Sequence, residues 1–218
     1  MPADFASRMS RLLCEMRRNM DGVTAEAMYN AGVRGVLNYG VGIPMIRSIA
    51  RSLDKDHEFA KYLYRQQVRE LRMAAVSVAC PECVTADELP FWLAGDPSTE
   101  LLDELAMQLI SRTSPQMLDA VIGEWLERGD SSARYAAMMS LARAREYYDK
   151  ERALTAVVES VCEYPKDMRM AHGSVTLAVA IAAADGSYIP QIREIALSLT
   201  NKGPAGRHFA EETEWMIE

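Results

Sequence analysis

Asp103 is the residue whose setting most invites chemistry. It lies in a helical stretch opened by Asp96-Pro97-Ser98-Thr99-Glu100 and running to Thr113, where Leu101, Leu102, Leu105, Ala106, Leu109 and Ile110 recur at spacings of three and four. That spacing makes one apolar stripe, and Asp103 sits at its edge. A carboxylate there is either a solvated flank or a charge aimed into a groove, where it would stabilise positive charge or orient water. Arg134 stands on a line with Met138, Leu141 and Arg145, beside a core line of Tyr135, Met139 and Ala142. Arg47 and Arg51 are one helical turn apart, and Arg69 and Arg72 are three residues apart on a later helix. These arginines would either track a polyanion's phosphates or keep a helix surface soluble. Cys80-Pro81-Glu82-Cys83 has redox or zinc spacing, but no βαβ pattern, second cysteine pair or His-x3-His completes it. His57, His172 and His208 have no ligand spacing, and no metal or cofactor is expected.

The elements that must position these groups all have helical period. Thr24 to Val36 reads as a helix after an amphipathic N-terminal one. Asn38-Tyr39-Gly40-Val41-Gly42 then breaks the pattern with a tight turn. Ile43-Pro44 starts the next, Asp56 caps another, and Val68 to Ala79 follows. Thr85-Ala86-Asp87-Glu88 is a capping-box pattern leading to Trp92. Ser114-Pro115 opens a helix through Leu126, and Gly129-Asp130 restarts the chain into Ser131–Glu146. Helices over 149–164, 167–184 and 188–199 precede Gly203-Pro204 and an acidic tail containing Trp215. No strand is expected.

Some ten helices, joined by short links with no Gly/Ser linker, are too many for one bundle. The sequence therefore predicts an all-α protein, a right-handed α-solenoid of irregular antiparallel helix pairs of the HEAT type, with a compact bundle as the alternative. Residues 1–218 read as one domain, with an N-terminal helix over 1–22 and a tail with a short helix over 203–218.

The 218 residues carry a net charge of −7, which by itself argues against nucleic acid. The distribution is uneven. Residues 1–75 hold 12 Lys and Arg against 8 Asp and Glu, whereas residues 76–218 hold 12 against 23. A basic face on an acidic protein is thus permitted. No apolar run approaches the ~20 residues of a membrane span, and residues 1–20 are too interrupted by charge for a secretory signal. Four scattered cysteines suit a reducing cytoplasm.

Tyr39-Gly40-Val41-Gly42-Ile43-Pro44-Met45-Ile46-Arg47-Ser48-Ile49-Ala50 resembles the YGV..P.LR.IA segment of the DNA alkylation repair (AlkD-like) family. The charged link Asp54 to His57, Thr85 through Trp92, and Arg134-Tyr135-Ala136-Ala137 resemble the same family, in the same order, over roughly residues 20–200. The resemblance implies HEAT-like pairs around duplex DNA and excision of N3- or N7-alkylated purines, with an Asp, an Arg and two Trp lining the site. Carried over, the Asp is Asp103 and the Arg is Arg134. The tryptophan positions fall on Thr99 and near Ser174, so both are substituted. Aromatic faces hold a cationic base with about 0.5–2 kcal/mol each, so their loss removes roughly one to three decades of rate. Trp92 and Trp125 fall on core-like positions and do not replace them.

The resemblance thus implies a DNA-binding protein with weak or absent 3-methyladenine or 7-methylguanine glycosylase activity. Backbone contacts to duplex DNA would come from Arg134, Arg47, Arg51, Arg69 and Arg72. The alternative is a non-enzymatic scaffold whose solenoid binds a protein partner, and the acidic total charge favours it.

Overall fold

Capping side chains mark the starts of just over half of the helices. The computed structural model describes residues 2–31, 33, 35–95 and 97–217. Thirteen α-helices are seen among them, α1 (Pro2–Arg18) to α13 (Gly203–Met216), and no strand beyond one isolated bridge. Asp56 accepts from Phe59 N at 3.0 Å to start α4 (His57–Tyr64). Ser98 accepts from Leu101 N to start α7 (Thr99–Gln108), and Ser114 from Met117 N to start α8 (Pro115–Val121). Asp130 does the same for α9 (Ser131–Leu141), Asp149 for α10 (Lys150–Glu163) and Asp167 for α11 (Met168–Ala184). Each carboxylate or hydroxyl satisfies an amide that the first turn leaves unpaired. Asp96, at the head of the stretch that leads into α7, lies outside the described residues.

Several boundaries differ from the sequence reading; α7 ends at Gln108 rather than Thr113, and α9 ends at Leu141 rather than Glu146. The second helix, α2 (Gly22–Asn30), stops short of Val36, before Gly35 takes a φ of +80°. Thr85 makes no side-chain cap; a tight turn over Ala86–Glu88 leads into the short α6 (Leu89–Trp92). After α8 the chain widens into a π-helical turn over Ile122–Glu127. Arg152 on α10 braces that turn, with two bonds to Glu127 at 2.6 and 2.9 Å and one to Asp119 at 2.7 Å.

Although no linker marks the sequence, the helices gather into two compact units, Met1–Cys83 and Val84–Glu218. In the first, α3 (Ile43–Ala50) and α4 pack on α5 (Arg69–Val78), with α1 against α3 and α4. Phe59, Leu63, Leu71 and Met73 are its core. Gly40, at φ +71°, brings the backbone onto Asp21, and Asp21 N donates to Tyr39 O at 2.9 Å. The loop is tied to α5 from beneath. Glu70 Oε1, fully buried, accepts from Tyr39 N, Val41 N and Arg69.

The second unit is layered. α7, α9, α11 and α13 pack successively side by side, while the π turn, α10 and α12 (Ile189–Leu199) follow one another behind them. This is the antiparallel pairing of a HEAT-type stack, and it places α7, α9 and α11 next to each other. Trp92, Leu102, Leu105, Met138, Leu154, Ile181 and Phe209 are wholly buried within the unit.

Candidate nucleic-acid interface

Asp103 and Tyr135 meet across α7 and α9. The Tyr135 hydroxyl donates to Asp103 Oδ1 at 2.8 Å. Tyr135 is 2% exposed, and Asp103 is half-buried. Burial first, then the hydrogen bond and the adjacent carboxylate charge, push the Tyr135 pKa well above the usual phenol range. At neutral pH this hydroxyl is therefore a permanent donor, and it fixes one carboxylate oxygen. Gly173 makes room for the ring. A Cβ there would lie 3.2 Å from both Tyr135 Cδ2 and Met138 Sδ, so glycine lets α11 approach α9 closely.

Around this pair stand three basic groups that Asp103 alone did not reveal. Arg143, just past the end of α9, and Arg169, in the first turn of α11, lie close enough to oppose the upward shift of Tyr135. Arg169 also donates to Ser131 Oγ at 3.0 Å. His172 is exposed, with its ring 6.5 Å from that of Tyr135. The signal for the last two was helical spacing. Arg169 precedes His172 by three, so the two share a face of α11, whereas Arg143 lies past the end of α9. Nothing in the sequence says that this face adjoins Asp103.

Thr99 lies on α7 one turn before Asp103 and is exposed, on the same side of the helix. Ser174 is corrected. It is fully buried, and its hydroxyl bonds back to Met170 O and Ala171 O, so it faces the core and lines no cleft. His172, about 200° around the helix, holds the exposed position instead. Trp92 and Trp125 are 0% and 3% exposed, so neither reaches this surface.

Arg134 is also corrected. Its side chain is 7% exposed and is held by Gly129 O, Glu127 O, Ser160 Oγ and Glu163 Oε2, the last at 2.7 Å. Four of its N–H groups are thus spent within the protein, toward α10 rather than toward Asp103. Met138 and Leu141, on its line, are core residues. The line that carries Arg134 is an interior seam.

In the first unit, Arg69 and Arg72 are corrected for the same reason. Arg69 is 4% exposed and donates to Val41 O and Glu70 Oε1; Arg72 is 6% exposed and lies over the Tyr64 ring at 4.6 Å. Both are enclosed, so neither presents its charge to a phosphate. Arg51 caps the end of α3 and is exposed, and Arg47, on the same helix, is half-buried.

No trio of His, Cys, Asp or Glu with metal-binding geometry occurs among the described residues. The cysteines are free, and burial with the neighbouring Cys83 raises the Cys80 pKa, the opposite of an activated thiol. No helix among the described residues is long and apolar enough to cross a membrane.

Residues 12–185 match the family model described as DNA alkylation repair enzyme. A solved structure from a new family of proteins related to the HEAT-like repeat DNA glycosylases, with affinity for branched DNA structures, is similar with a TM-score of 0.73. Identity is 16%, over 95% of this chain and 94% of that one. The similarity establishes a shared HEAT-like, all-helical fold. No curated protein sequence matches significantly.

Proposed function

Because the chain belongs to the DNA alkylation repair enzyme family, we propose that it is a HEAT-like DNA-binding protein that holds duplex or branched DNA by its phosphates and has weak or absent base-excision activity. The observation that carries this reading is the Asp103–Tyr135 pair at 2.8 Å with Arg143, Arg169 and His172 about it. Cations there would meet backbone phosphates, and such contacts carry little sequence information.

Excision requires more. Departure of an alkylated purine builds positive charge on the deoxyribose, which Asp103 would offset through Oδ2, the oxygen Tyr135 leaves open. The aromatic groups set about Asp103 are Tyr135, whose ring is buried, and the exposed His172, and neither is a tryptophan. Asp103 is thus the residue to which any residual hydrolysis is assigned. The affinity for branched DNA reported for the similar structure makes a junction the informative ligand to test beside duplex.

Binding of the full chain to a plain duplex and to a four-way junction should weaken steeply between about 50 and 200 mM salt. Undetectable binding to both at low salt overturns the DNA reading and leaves a protein-binding scaffold, which the net charge of −7 favours. Release of 7-methylguanine or 3-methyladenine should be slow in the wild type and slower in Asp103→Asn. Equal release by the two removes Asp103 from the chemistry.

A further inference from the structure

α12 and α13 are the final helix pair described, and large apolar side chains stand exposed on it among charged ones. Leu197 is 79% exposed and Trp215 is 77% exposed. Between the helices runs a cleft of about 440 Å³, bordered by Ala196, Leu197, Thr200, Arg207, Ala210 and Ile217. The pair also has a true inward side, where Ile192, Leu199 and Phe209 are wholly buried. Arg207, Glu211 and Glu214 rim the cleft and enter no hydrogen bond or ion pair among the described residues.

The charges indicate what covers this surface. Arg207 and Glu214 are two turns apart on one side of α13, with the small Ala210 between them. An antiparallel contact about a two-fold axis near Ala210 sets Arg207 of each copy against Glu214 of the other. The same axis carries Trp215 toward the start of the opposing α13, where the cleft opens at Leu197 and Thr200. One patch thus holds both the protruding group and its receptacle, and both signs of charge, as an isologous interface requires.

We propose that the α12–α13 face is a homodimer interface through which two copies of this chain join tail to tail. Two helices form a patch below standard interface size, so the dimer is weak and concentration-dependent. Sedimentation of the full chain from about 1 to 100 μM tests it over the affinities such small interfaces reach. The wild type should pass from monomer to dimer across that range. Leu197→Asp, a change at an exposed position that leaves the core intact, should weaken dimerisation by about tenfold or more.

Arg207→Glu and Glu214→Arg should each weaken it, and the double reversal should recover most of the loss. Trp92 and Trp125 are buried, so iodide quenching of tryptophan reports on Trp215 and should fall as the dimer forms. A wild type that stays monomeric throughout overturns the proposal. So does a dimer indifferent to Leu197→Asp, a double reversal that recovers nothing, or quenching that does not change.

Discussion

Arg134 and Tyr135 are consecutive on α9, yet their polar ends bind different helices. Arg134 reaches Ser160 and Glu163 on α10, and Tyr135 reaches Asp103 on α7. Successive helical residues point about 100° apart, so one pair of positions ties α9 to both neighbours. The interior seam and the candidate DNA surface are therefore separated by a single step in sequence.

Arg134→Ala should cost about 2–4 kcal/mol of stability, because it strands the carbonyls of Glu127 and Gly129 and removes the contacts to Ser160 and Glu163. DNA affinity of the folded protein should stay unchanged. Urea unfolding beside a DNA titration separates the two, and full stability with a tenfold loss of affinity would place Arg134 on the phosphates after all.

Tyr135→Phe removes only the hydroxyl and should lower stability by about 1 kcal/mol at neutral pH. Burial and Asp103 raise the folded Tyr135 pKa above the value near 10 of the unfolded chain. The neutral phenol's contribution is therefore complete below about pH 10 and is lost as pH rises through the folded pKa. The gap in urea midpoint between wild type and variant should shrink above about pH 10. A gap constant from pH 7 to 11 contradicts the hydrogen bond.

Arg143→Ala and Arg169→Ala should each reduce the salt dependence of DNA binding by about 0.9 in the slope of log K against log salt. Arg69→Ala and Arg72→Ala should not, since both side chains are enclosed. Fluorescence titrations at four salt concentrations suffice, and an unchanged slope in the first two variants removes the α9–α11 surface from the interface.

Gly173→Val should cost about 1–3 kcal/mol by crowding Met138 and Tyr135. Because the displaced ring also loses Asp103, combining it with Tyr135→Phe should cost less than the sum of the two. Strict additivity in a double-mutant cycle would show that the glycine does not act through the tyrosine.

Gly40→Ala should destabilise by about 1–2 kcal/mol for the left-handed backbone alone. A further loss is expected because its Cβ would fall 2.1 Å from Asp21 O. An unchanged melting temperature would rule out the close approach.

The sequence by itself determined the helices and most of their starts, because a cap such as Ser98, Ser114 or Asp130 acts on amides two or three residues away. It also determined the family, through Tyr39 to Ala50 and the Arg134-Tyr135-Ala136-Ala137 segment of α9. Periodicity told which residues share a face but not what the face meets, so Arg134 read as a phosphate contact when it lines an interior with Met138 and Leu141. Tyr135 read as core, and its ring is; only its hydroxyl leaves the core, since a tyrosine has an apolar body and a polar tip. That Asp103, Tyr135, Arg143, Arg169 and His172 form one neighbourhood was decided by α7, α9 and α11 packing side by side. Those contacts span some thirty residues or more between helices, a separation over which local propensity carries no information.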